Sequence, residues 1–229
     1  MRRLWLFLLL VPILSCAPPK TPRFYIASAS SFAPPLIALT QQINETCQVA
    51  IRISFGSTGK LVAQMGIGGP HQLMISADTA LSHKLAQMRP DIVIESPFVR
   101  SPMAYWQPQD LRISDKIAIA NPQTAPFGRA AMQVLRAKHP DGVLPDLVTA
   151  NSASAAFSYV YSGVALAGYV PLSMLMNTDI PAEEYQVIEP TLYAPILLQN
   201  IQLKSGPKTD CVINFLANAE LSKFGYQAP

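Results

Sequence analysis

Short apolar stretches alternate with longer segments of helical spacing along almost the whole chain, and this order limits the folds it can reach. Arg23-Phe24-Tyr25-Ile26-Ala27 reads as a strand. Phe32 to Thr46 reads as a helix, with Pro34 and Pro35 in the first turn, where a missing N–H costs nothing. A strand over 49–55 leads into a helix starting near Gly59, Gln72-Leu73-Met74-Ile75-Ser76 is a short apolar strand, and Asp78 caps a helix running to about Met88.

The unit then recurs. Ile117-Ala118-Ile119-Ala120 is strand-like and stops at Asn121-Pro122, after which Ala131, Val134 and Leu135 give 128–138 helical spacing. Leu147-Val148 leads to the cap signal Asn151-Ser152, then a helix over 153–161 and a short buried strand at Gly168-Tyr169-Val170. An apolar stretch over 196–203, Gly206-Pro207 and a helix from about Thr209 to Lys223 close the chain. Alternating strands and helices predict an α/β fold of mainly parallel sheets with helices on both faces, and ligands at the carboxyl ends of the strands. Two such runs suggest two lobes.

The chain has 229 residues, 50% of them hydrophobic, enough to bury a real core. Its formal charge of +3 includes Arg2 and Arg3 in a leader; without these two, the 17 basic residues fall to 15 against 14 acidic ones. A near-neutral protein is poorly suited to binding a phosphate backbone, which argues against a nucleic-acid partner. Residues 1–15 read as a signal peptide, since the apolar run from Leu4 to Leu14 is too short to span a bilayer as a mature helix. Ile13-Leu14-Ser15-Cys16 resembles a bacterial lipobox, in which Cys16 would carry lipid, and the proline-rich segment 16–22 would tether the globular part to it. Cys47 and Cys211 remain, an even number in an oxidising compartment. Either a disulfide or two small buried thiols fits.

Four loops share one plan. Ala29-Ser30-Ser31, Gly56-Ser57-Thr58-Gly59, Ala125-Pro126-Phe127-Gly128 and Asn151-Ser152-Ala153 each lie between a strand and the start of a helix. A helix N-terminus carries unpaired N–H groups and the positive end of the dipole, so several converging would bind an anion without a formal positive charge. Ser31 and Thr58 would add hydroxyl donors. The competing reading is that each loop is an ordinary helix cap.

Other chemistries fail on spacing. A phosphate-binding P-loop needs Gly, four residues, then Gly-Lys-Ser/Thr, whereas Gly59-Lys60 is followed by Leu61 and the position for the first glycine is Ser54. No Gly-x-Ser-x-Gly elbow occurs, and His71, His83 and His139 sit in no triad or metal-binding pattern. Lys60 would reach an anion only if it turned from solvent, and Phe157, Tyr159 and Tyr161 read as packing.

Taken in order, SASSFAPPLIAL, SFGSTGKLVAQM, LMISAD, IAIANPQTAPFGRAAMQVL, TANSASAAFSYVYSGVALAGYVPLS and SKFGYQ resemble the periplasmic molybdate-binding proteins of bacterial ABC importers over nearly the whole mature chain. The resemblance implies a two-lobed type II periplasmic binding fold closing on a tetrahedral oxyanion, molybdate or tungstate. It places one lobe over 23–97 and 201–229 and the other over 98–200, with crossings near Ser96 to Tyr105 and Ala194 to Leu203. Ligand donors would be Ser30 and Ser31, Thr58 with Ser57 beside it, and the main chain at Phe127 and Ala153. One branch of the family adds a tyrosine hydroxyl where this chain has Pro171. The implied partners are an ABC permease and its ATPase. The implied state is a monomer without cofactor, metal or catalytic residue, lipid-anchored in the periplasm or on the outer face of the cytoplasmic membrane. The alternatives are a binding protein or sensor for another oxyanion or small organic anion, and a hydrolase of a phosphorylated solute, for which nucleophile and base are missing.

Overall fold

The computed structural model describes residues 21–109, 114–178 and 180–229; the expected signal peptide and Cys16 lie outside them. Among the described residues, ten strands form two five-stranded sheets. The first is ordered β2 (Ala50–Gly56), β1 (Arg23–Ala29), β3 (Leu73–Ser76), β10 (Leu197–Gln202), β4 (Val93–Arg100). The second is β7 (Leu147–Ala150), β6 (Ile117–Ala120), β8 (Ala167–Pro171), β5 (Met103–Trp106), β9 (Tyr185–Val187). Seven helices pack around them: α1 (Ala33–Cys47), α2 (Thr58–Ile67), α3 (Thr79–Met88), α4 (Pro126–Lys138), α5 (Ala153–Tyr161), α6 (Leu172–Met176) and α7 (Pro207–Asn218).

The two sheets follow one plan. In the first, β1 pairs parallel with β2 and β3, while β10 runs antiparallel between β3 and β4. In the second, β6 pairs parallel with β7 and β8, while β5 runs antiparallel between β8 and β9. Four of five strands in each sheet therefore point the same way. The reversed strand is the one that enters from the other lobe, β5 directly after β4 and β10 after the second lobe is complete. The first sheet keeps β4 as far as Arg100, a few residues after the expected break at 97, and takes β10 from Leu197, a few residues before the expected restart at 201. The reason is that β4 and β10 pair with each other right up to the crossings.

Strand position explains the burial that the sequence pattern shows. Central β3 has all four residues buried, as a strand covered on both faces must, whereas edge strand β2 buries Ile51 and exposes Arg52. Helix α1 starts with Pro34 and Pro35 in its first turn and buries Leu39, Ile43 and Cys47 along one stripe. Asp78 caps α3 by accepting from the Leu81 N–H at 2.9 Å, and Ser152 caps α5 by accepting from the Ala155 N–H at 3.2 Å. Helix α4 meets β6 so closely that a Cβ on Gly128 would lie 2.2 Å from the Ala120 carbonyl oxygen. Only glycine fits there.

Cys47 in the last turn of α1 is disulfide-bonded to Cys211 in α7, with Cα atoms 5.7 Å apart. Among the described residues no helix is long and apolar enough to cross a membrane.

Candidate functional site

The carboxyl ends of β1, β2 and β3 from one lobe face those of β6 and β7 from the other, the position where open α/β sheets hold ligands. A small cavity of about 10 Å³ lies between them, lined by Ser30, Ser31, Ser57, Thr58, Phe127 and Ala153, with Ala29, Gly56, Ala77, Ala125 and Pro126 completing the wall. All six residues singled out from the sequence therefore share one cavity, although they lie as far apart in the chain as Ser30 and Ala153 and come from both lobes. Each of the four loops opens a helix of at least nine residues. Their positive dipole ends and first-turn amides, which a helix leaves without an internal partner, point toward one space.

The side chains differ in what they are free to do. Ser31 Oγ and Ser57 Oγ are buried without a hydrogen-bond partner. A buried hydroxyl left unpaired is costly, so both are available to a group that enters the cavity. The Thr58 hydroxyl instead accepts from the Ala77 N–H at 3.2 Å. This shifts the second loop's unpartnered hydroxyl from Thr58 to Ser57, because Thr58 is spent partly on tying α2 to the end of β3; its O–H proton is still available. Ser30 Oγ accepts from the Ser154 N–H of the other lobe at 3.3 Å and likewise keeps its own proton.

None of the lining residues is charged. Positive potential from the cavity wall itself comes from helix ends. A larger, more open hollow beside β5 and β9 is lined by Tyr105, Glu183 and Tyr185, and its carboxylates Glu183 and Glu184 make it unsuitable for an anion.

The lobes are closed over the cavity. The Gly59 N–H donates to the Thr124 carbonyl at 2.8 Å across the cleft, Lys60 Nζ donates to Asn151 Oδ1 at 3.1 Å, and Arg129 pairs with Asp78. Lys60 thus bridges the two lobes at the cleft mouth rather than lining the cavity. Sequence reasoning singled out Lys60 only as a possible anion contact and missed the Gly59 and Arg129 bridges, because nothing local marks a residue whose partner lies in the other lobe.

The sequence profile of the bacterial extracellular solute-binding proteins matches residues 24–220. The chain is 25% identical to the molybdate-binding protein ModA of Rhodobacter capsulatus, over 87% of this chain and 86% of that one. It is 25% identical to the molybdate-binding protein ModA of Azotobacter vinelandii, over 93% of each. The solved structure of the Azotobacter vinelandii periplasmic molybdate-binding protein superposes with a TM-score of 0.75, covering 90% of this chain and 99% of that one. With a profile match over most of its length and a two-lobed cleft of the expected topology, this chain belongs to the bacterial extracellular solute-binding protein family.

Proposed function

We propose that this protein captures molybdate or tungstate outside the cytoplasmic membrane and delivers it to the permease and ATPase of an ABC importer. One observation carries the reading: four helix N-termini from two lobes converge on a closed, uncharged cavity that holds two unpartnered buried hydroxyls. A doubly charged tetrahedral oxyanion matches that donor set. The three similar proteins named above are molybdate-binding by name, which supports the choice of ion.

In this reading Ser31 and Ser57 donate through their hydroxyls, Ser30 and Thr58 through the protons that their present hydrogen bonds leave free, and Phe127 and Ala153 through first-turn amides. The charge is stabilised by hydrogen bonds to the ionised form, each stronger than its neutral counterpart. The site captures and releases rather than converts, acting as a monomer held to the membrane through a lipid on Cys16.

Titration of the leaderless protein with molybdate, tungstate, sulfate and phosphate tests this directly. Tight binding of the first two with little response to the others is expected. Tight binding of sulfate or phosphate alone would move the protein to another oxyanion, and silence from all four would overturn the anion reading.

Ser57→Ala and Ser31→Ala are each expected to weaken molybdate binding by about one decade, the effect of losing one buried donor worth roughly 1–2 kcal/mol. Titration calorimetry of both variants checks this, and unchanged affinity in both would remove the hydroxyls from the site. Affinity is also expected to stay level between roughly pH 6 and 9, because no lining residue titrates there. A break in a titration series across that range would place a titrating group against the ligand.

A further inference from the structure

The first loop is held by two hydroxyls far from it in sequence. The Tyr226 hydroxyl donates to the Ser31 carbonyl oxygen at 2.6 Å, and the Ser173 hydroxyl donates to the same oxygen at 3.1 Å. The two hydroxyl oxygens are 3.3 Å apart. Tyr226, Ser31 and Ser173 are each at least 97% buried.

The two donors reach this point from different parts of the fold. Ser173 lies in α6, immediately after β8 of the second sheet. Tyr226 lies on the tail after α7, where the backbones of Arg100 and Gln227 bond to each other in both directions beside the first crossing. The Tyr226 ring also packs edge-on against Phe32, the residue after Ser31, with centroids 5.4 Å apart. Burial pushes the phenol well above its usual range, so the hydroxyl remains a donor at physiological pH.

The geometry has a directional consequence. Both lone pairs of the Ser31 carbonyl are used, so turning this peptide would strip that buried oxygen of both donors and leave the two hydroxyls only each other. On the same residue the hydroxyl is left without a partner and lines the cavity. One end of Ser31 is therefore clamped while the other is kept free.

We infer that Tyr226, together with Ser173, is a positioning residue for anion capture, clamping the Ser31 carbonyl so that the first loop's hydroxyl stays aimed into the cleft. The inference rests on the reading of this cavity as an oxyanion site. It assigns a role in binding to the C-terminal tail, which does not line the cavity.

Tyr226→Phe removes one oxygen and keeps the ring packed on Phe32. Molybdate affinity measured by titration is expected to fall about tenfold, while the thermal midpoint of the ligand-free protein moves by only a few degrees. The decisive readout is a double-mutant cycle with Ser31→Ala. Where the hydroxyl being aimed is already gone, Tyr226→Phe should cost roughly threefold or less. Unchanged affinity in Tyr226→Phe overturns the inference, and so does an equal loss in both backgrounds, which would mark a diffuse effect on the fold. If Tyr226→Phe does not fold, Ser173→Ala runs the same cycle from the other donor, with the same outcomes. A wild-type protein silent to molybdate, tungstate, sulfate and phosphate overturns the site reading and the inference together; a wild type that binds beside an unaffected variant overturns the inference alone.

Discussion

Breaking the disulfide between Cys47 and Cys211 is expected to destabilise the protein by several kcal/mol while leaving anion affinity almost untouched. The bridge closes a sequence separation of 164 residues. A cross-link of that span removes unfolded-state entropy worth about 5 kcal/mol, near the upper end of what disulfides contribute. For a chain of this size that corresponds to a fall of about 10–20 °C in the thermal midpoint. The bridge sits at the far end of α1 from the cavity: Cys47 ends this 15-residue helix, whose N-terminus follows the Ser30-Ser31 loop. The helix rise separates them by about 20 Å. Urea unfolding of the protein with and without reductant, and of the Cys47→Ala, Cys211→Ala double variant, measures the effect without leaving a lone thiol. An unchanged midpoint would mean that packing of α1 on α7 already holds these ends together. A large loss of affinity below the unfolding range would mean that the bridge reaches the site.

Two kinds of information separate here. Local signals were readable in the sequence: Asp78 and Ser152 are the caps they look like, Pro34 and Pro35 sit in a first turn, and both series of alternating strands and helices are present. These depend on hydrogen bonds within three or four residues and on burial period. The short antiparallel strands β5 and β9 carried no such signal, because β5 is defined by partners more than 60 positions away. The site was legible in the same uneven way. Small polar residues before helices marked the four loops, but the choice between Ser57 and Thr58 turned on whether the Ala77 amide lies within reach, which no spacing states. Tyr226 read as one residue of a terminal segment; its hydrogen bond to Ser31 spans 195 positions.

Gly59→Ala is expected to lower molybdate affinity by about 30- to 150-fold without weakening the free protein. Gly59 is the second residue of α2, directly after Thr58, and its N–H bonds to the Thr124 carbonyl of the opposite lobe. A Cβ there would lie 2.9 Å from the Thr124 oxygen and 3.1 Å from its Cα. Both are backbone atoms, so no rotamer change relieves the contact and the lobes must part. Local energetics push the other way, since alanine is favoured over glycine in a helix by up to about 1 kcal/mol. The thermal midpoint of the ligand-free variant should therefore hold or rise slightly. Affinity falls because the donors are divided between lobes: parting them draws the Phe127 and Ala153 amides away from an anion seated on Ser31 and Ser57. Weakening two charge-assisted hydrogen bonds by roughly 1–1.5 kcal/mol each gives a loss of about 2–3 kcal/mol. Calorimetric titration with molybdate beside a thermal scan without ligand separates the two effects. Unchanged affinity would show that the bound state does not need this approach of the lobes, and a lower ligand-free midpoint would show that Gly59 serves the fold rather than its closure.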